Sequence, residues 1–349
     1  MDPSKLKVTK SLVECFKESS DDEFPSSDGK VYKTRYDFVV QNLSRDYHSR
    51  VEIGAMLKAI KSGDCHYDQI PYLNIHGEKH VDAVIEKATD LLRESHCEIS
   101  PYEGYLLLMA IQFHDIGNIF GRQDHEINCR EIMEKLGDKA GIDRAEKRVI
   151  IKIASVHGGI ASDGSKDTIK ELHDGFLDLM GKKVRKKFLA AILRLSDELA
   201  DDYSRTTQQN DDIPEESRIY HEYSRSLHSV VVEKDEIRLS YEVPHETTSK
   251  EFLKPNGGKN FLIDEIYQRT LKMHSELLYC MRFMRPDFDI KRISVKIIIS
   301  AKMGLDELEK IEFALKEDGY PSHGNILDLF PYLKDFTGQA IKEKVEQYA

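Results

Sequence analysis

No stretch of the 349 residues approaches eighteen apolar residues uninterrupted by charge, so there is no candidate for a membrane-spanning helix. The first residues, MDPSKLKVTKSLVECFKESSDDEF, lack the uncharged apolar core that a signal peptide needs. Cysteine is scarce. Cys15, Cys65, Cys97, Cys129 and Cys280 are odd in number, scattered, and include no CxxC pair. That argues against a disulfide framework or a thiolate zinc site, and for a reducing compartment. A surplus of positive charge is missing too: 51 Lys and Arg against 62 Asp and Glu leave a net charge of −11. A general binder of the nucleic-acid backbone would need a basic stripe, so none is expected. An anionic small molecule stays open, because a few local cations or a bound metal outweigh distant acid. These absences predict a soluble, cytoplasmic protein with no membrane partner.

What is present points to a globular chain. Hydrophobic residues make up 40%, enough for a sizeable core, and the length suits about two folding units. Residues 1–35 read as an N-terminal arm, with residues 19–31 polar and turn-rich. Residues 36–205 read as a helical body. Val81, Val84, Ile85, Ala88, Leu91 and Leu92 repeat at the spacing of a half-buried helix. Residues 105–113 (YLLLMAIQF) are apolar on every face, which predicts a helix at the domain centre, and residues 149–156 and 188–195 have the same character. Residues 206–349 read as a smaller α+β unit that restricts the pocket, regulates, or forms an oligomer interface. There, 229–232 and 237–243 predict a hairpin, 260–284 a helix, 290–300 a strand, and 305–316 another amphipathic helix. The fold class expected is therefore mainly α: an all-helical domain followed by a smaller α+β unit.

Each apolar helix hands a ligand-type residue to its end. The 105–113 helix leads into His114 and Asp115, the 149–156 helix into His157, and the 188–195 helix into Asp197; His76 and His80 lie four apart, on one face of the next helix in the set. Burying imidazoles and carboxylates costs several kcal/mol, on the order of 2–7 for a neutral polar group and more for a charge, unless each is paired or bound to a metal. Nitrogen and carboxylate donors without thiolate suit Mn, Fe, Mg, Co, Ni or Zn alike. His125 lies in a charged segment and reads equally well as a surface histidine.

The ordered set H…HD…D, carried by HGEKHVDAV, QFHDIGN and LRLSDELADD, resembles the HD superfamily of metal-dependent phosphohydrolases over roughly residues 45–205. The resemblance implies His80, His114, Asp115 and Asp197 as primary ligands of one or two divalent ions. It implies His125 and His157 as candidates for a second site, with Asp115 bridging. It also implies hydrolysis of a phosphoester or phosphoanhydride by metal-activated water. His76, one turn before His80, is similar in placement to the proton donor of cyclic-nucleotide phosphodiesterases. The segment HDIGNIFGRQDHE resembles dNTP triphosphohydrolases but departs from them: Asn118 stands in place of a histidine, and extra residues precede His125. Lys79 and Arg122 adjoin the ligand set and are candidate contacts for substrate phosphate. Gly257, Gly258 and Lys259 do not make a phosphate loop, since the earlier glycine and the following Ser/Thr are missing.

The expected activity is hydrolysis of a nucleotide-like substrate, with dNTP or NTP ahead of cyclic or signalling nucleotides, and Asp115 and His76 in catalytic roles. The rival from another class is a nucleotide-sensing or interaction module on a metal-stabilised HD fold. A di-iron oxygenase is a third reading. A homo-oligomer or a regulatory protein partner fits any of them.

Overall fold

The computed structural model describes residues 8–47, 77–95, 98–120, 125–201, 215–254, 257–301, 306–317 and 325–348. These are mainly helical. They fall into two compact units, one drawn from the described residues up to Ala200 together with Cys280–Phe288, the other from those of Asp201–Tyr279 and those that follow Phe288. No helix among the described residues is long and apolar enough to cross a membrane.

The first unit contains α1 (Leu12–Glu18), α2 (Gly29–Asp46), α3 (Glu78–Glu94), α4 (Pro101–Phe113), α5 (His125–Lys139), α6 (Arg144–Ala154) and α7 (Lys186–Leu199). Its centre is α4, as the all-round apolar character of 105–113 predicts. Every residue of α4 is buried, and α1, α2, α3, α6 and α7 all pack on it. Large side chains such as Leu106, Leu107, Leu108, Ile111 and Phe113 each contribute about 1.5–3 kcal/mol on burial. That force carries whatever follows Phe113 into the interior. The start of α4 is set by a capping box, with Ser100 and Glu103 each satisfying the other's backbone N–H, and by Pro101 in the first turn.

Residues 19–31 form short 3-10 turns at Asp21–Glu23 and Pro25–Ser27 before α2 begins at Gly29. They are held by aromatic contacts: Phe24 stacks on Tyr32 at 5.2 Å, and Tyr32 meets Tyr105 of α4 edge-on at 5.0 Å. The helical body is not wholly helical. A hairpin of β1 (Leu177–Leu179) and β2 (Lys182–Val184) interrupts it. Its turn puts Met180 at φ +53 and Gly181 at φ +79, the left-handed pair that closes a two-residue hairpin. Strands three residues long are too short to show a period, which is why the pattern did not predict them.

Glu103 does more than cap. Its Oε1 accepts from the Arg185 backbone N–H and Nε, each at 2.9 Å, and its Oε2 accepts from Nη2 at 2.8 Å. The carboxylate therefore ties the start of α4 to the residue that opens α7. Glu103 is buried, and removing one partner of such a pair leaves the other charge uncompensated, typically about 3–5 kcal/mol. Arg185 is partly exposed and keeps Asp287 at 3.4 Å, so the cost falls at or below the lower end. Glu103→Ala should lower the melting temperature by several degrees; an unchanged melting curve would show that the pair holds nothing.

The second unit contains α8 (Glu215–Ser226) and a four-stranded sheet in the order β3–β4–β7–β8, from β3 (Leu227–Val232), β4 (Glu236–Pro244), β7 (Arg292–Ser300) and β8 (Glu307–Lys316). The short helix α9 (His245–Thr248), the hairpin of β5 (Glu251–Leu253) and β6 (Lys259–Phe261), and helix α10 (Leu262–Met284) lie between β4 and β7 in the chain, and α11 (Ile326–Leu329) and α12 (Gly338–Tyr348) follow β8. The last residues of α10, from Cys280, belong to the first unit. β3 and β4 form the expected hairpin, β4 and β7 are parallel, and β7 and β8 antiparallel.

One expectation is corrected here. Residues 305–316 were to form an amphipathic helix, and the structure makes Glu307–Lys316 a strand. The run carries both periods: Leu305, Leu308, Ile311 and Leu315 repeat at helical spacing, while Ile311, Phe313 and Leu315 alternate and are the buried members. The edge of β7 settles it, because pairing along Arg292–Ser300 satisfies backbone groups that an edge would leave open.

Candidate metal centre

Six of the side chains that the sequence singled out, His80, His114, Asp115, His125, His157 and Asp197, converge inside the first unit. α4 ends at His114, which is still helical at φ −59, ψ −44. Its Nδ1 donates to the Ile111 carbonyl at 2.7 Å, which leaves Nε2 as the ring nitrogen facing the cluster. His80 sits in the first turn of α3 and is fully buried. Asp197 occupies the last turn of α7 with its side chain a quarter exposed. His157 follows α6, and its Nδ1 donates to the Ala154 carbonyl at 2.6 Å. His125 is the first residue of α5 and is buried. The surface alternative for His125 is thereby excluded.

Asp115 lies between two sets of donors. Its Oδ2 is 3.5 Å from His80 Nε2 and 3.5 Å from His114 Nε2. Asp197 Oδ1 completes that set, 3.1 Å from His80 Nε2 and 3.6 Å from His114 Nε2. On its other side, Asp115 Oδ1 is 3.3 Å from His125 Nε2 and 3.6 Å from His157 Nε2. Two groups result: His80, His114, Asp115 and Asp197; and Asp115, His125 and His157. In each, all donor atoms lie within 4.8 Å of one another.

The donor set fits a divalent ion. Nitrogen and oxygen donors about 2.0–2.2 Å from one ion stand roughly 3.0–3.6 Å apart around it, and the imidazole–carboxylate contacts here span 3.1–3.6 Å. Electrostatics agree. Burial alone would lower the pKa of His114, but the charge of Asp115, and the hydrogen bond and charge of Asp197, overcome it and raise the pKa to about 9. Burial would likewise raise Asp197, yet His114 and His80 hold its carboxyl well below the usual range. Metal-free, the cluster thus retains a proton where it wants positive charge.

Two neighbours escaped the sequence reading as supports. Asn118 is buried, and its Nδ2 donates to the Asp115 carbonyl at 3.0 Å and to Asp115 Oδ1 at 3.2 Å, fixing the carboxylate that faces both groups. Gly117 lets residues 116–120 pass against the start of α5. A Cβ there would lie 1.9 Å from the His125 carbonyl oxygen and 3.0 Å from the Cys129 nitrogen. Both residues stand in HDIGN, where only the His-Asp pair carried a chemical signal. Cys129, one turn after His125, has its thiol pushed up to about 12 by burial, so it offers no thiolate. Lys79 is exposed. His76 and Arg122 lie outside the described residues.

A family model described as HD-CE matches residues 65–271. The chain belongs to the HD-CE family. The match takes in all six residues of the cluster and runs on through β6 into α10. No curated protein and no solved structure matches the chain. The HD-type domain and its buried His/Asp cluster thus stand together, and the cluster fits a divalent metal.

Proposed function

We propose that this HD-CE protein is a metal-dependent phosphohydrolase acting on a nucleotide-type phosphoester or phosphoanhydride. The observation that carries the reading is Asp115, buried between two donor groups and presenting one oxygen to each. His80, His114, Asp115 and Asp197 would hold one ion; Asp115, His125 and His157 would hold a second. Bound there, divalent ions supply hydroxide at neutral pH and neutralise charge developing on phosphoryl oxygens.

The chain's own groups prepare that chemistry. Ile111 and Ala154 carbonyls fix the tautomers of His114 and His157, so each Nε2 is available without reorganisation. Asn118 holds the shared carboxylate. Asp197, a quarter exposed, marks the side from which solvent and substrate reach the cluster. Lys79 is placed beside His80 in sequence to meet a phosphate, with Arg122 as a second contact and His76 as donor of a proton to the leaving oxygen.

The test incubates purified protein with Mn²⁺ and a panel of dNTPs, NTPs and cyclic nucleotides, with products read by anion-exchange chromatography beside Asp115→Ala. Product formed only by the unaltered chain establishes the hydrolase and separates triphosphate release from diester cleavage. A nucleotide that raises the melting temperature but is recovered unchanged would replace this reading with a sensor.

A further inference from the structure

Each histidine that donates at a metal must hold its second ring nitrogen in a fixed state, or the imidazole turns and the wrong tautomer forms. His114 and His157 do this with backbone carbonyls one turn back. At His125, the first residue of α5, the neighbour described beside Nδ1 is a carboxylate rather than a carbonyl. Glu126 Oε2 lies 3.3 Å from His125 Nδ1, on the ring edge opposite the Nε2 that faces Asp115. The Glu126 side chain is only 16% exposed. Its other oxygen packs against the glycine turn after His157: a Cβ on Gly158 would press on Glu126 Oε1 at 3.3 Å, and one on Gly159, whose φ of +73 favours glycine, would touch it at 3.5 Å. The turn after His157 thus leaves space for the carboxylate that orients His125.

We propose that Glu126 is the positioning residue of the three-donor group: its carboxylate accepts the His125 Nδ1 proton, points Nε2 at Asp115 Oδ1, and so sets the affinity for the second ion while leaving the first untouched. The proposal rests on reading the cluster as a two-ion centre. It adds an asymmetry: His114 of the four-donor group and His157 of the three-donor group take their orientation from backbone carbonyls, whereas His125 depends on a replaceable side chain, Glu126. A carboxylate on the far nitrogen also makes the imidazole a stronger donor, and losing such an outer partner typically weakens metal affinity about 10–100-fold.

The experiment titrates Mn²⁺ into the metal-free full chain by isothermal calorimetry, with bound metal per chain checked by elemental analysis, for wild type, Glu126→Ala and Glu126→Gln. Wild type should take up two ions. Glu126→Ala should keep the tighter one at unchanged affinity and bind the other about 10–100-fold more weakly. Glu126→Gln retains an acceptor oxygen and should recover part of that loss. The melting temperature of each metal-free variant should match wild type, which separates orientation of His125 from support of α5. Glu126→Ala binding two ions at wild-type affinity, or losing both together, overturns the assignment alone. Wild type binding no ion overturns the two-ion reading and the assignment with it.

Discussion

Asp115→Ala is expected to abolish turnover and strip the protein of both ions while leaving the helical fold in place. Asp115 is the one described residue common to the two donor groups. Its Oδ2 serves the side of His80, His114 and Asp197, and its Oδ1 the side of His125 and His157. An outer-shell partner is typically worth about 10–100-fold in affinity or activity, so loss of a shared inner donor should exceed that, on the order of 10³-fold. Asp197→Ala is the useful contrast. It removes a donor from the four-donor group alone, so one ion should be lost and the other kept. Elemental analysis after gel filtration reads both outcomes, and circular dichroism reports the fold. Turnover retained by Asp115→Ala would sink the hydrolytic mechanism, since no other described carboxylate faces all four histidines.

Gly117→Ala should do its damage through the backbone. The added methyl would fall 1.9 Å from the His125 carbonyl oxygen and 2.8 Å from the carbonyl carbon. Neither atom belongs to a side chain that can swing aside, so residues 116–120 and the start of α5 must part by more than an ångström. Overpacking a tight interior contact typically costs about 1–3 kcal/mol, occasionally more, and this clash belongs at the upper end. The consequence reaches the metal centre because the displaced carbonyl belongs to His125 itself. We expect a melting temperature several degrees lower and loss of the ion held by Asp115, His125 and His157. The variant should hold the ion of the four-donor group, whose members stand on α3, the end of α4 and α7. Wild-type melting with two ions bound would show that the segment has slack that the packing does not suggest.

How much of this was legible beforehand depends on the range of the interactions involved. α4 was legible because an apolar helix with no polar face has only one place to go, and its thirteen buried residues show that it went there. His114, Asp115, His157 and Asp197 were legible as donors because each follows or ends such a helix, where a bare imidazole or carboxylate is expensive. His125 was not. Its neighbours are charged, and only the passage of residues 116–120 beside α5 brings it to within 3.3 Å of Asp115. Asn118 was noticed only for standing where dNTP triphosphohydrolases have a histidine, and Glu126 gave no signal, since a carboxylate at a helix start reads as an ordinary polar residue until its partner is known. The strand Glu307–Lys316 failed for the same reason in reverse: its local pattern satisfied two periods, and the choice lay with β7.

Composition, helical periodicity and the order of donors were therefore settled within the chain, because each follows from contacts a few residues apart or from the cost of burying a polar group. The division of those donors into two groups was not. Which oxygen of Asp115 faces which histidines depends on α3, α4, α5, α6 and α7 meeting at one point, and that is a property of packing between residues as far apart in sequence as His80 and Asp197.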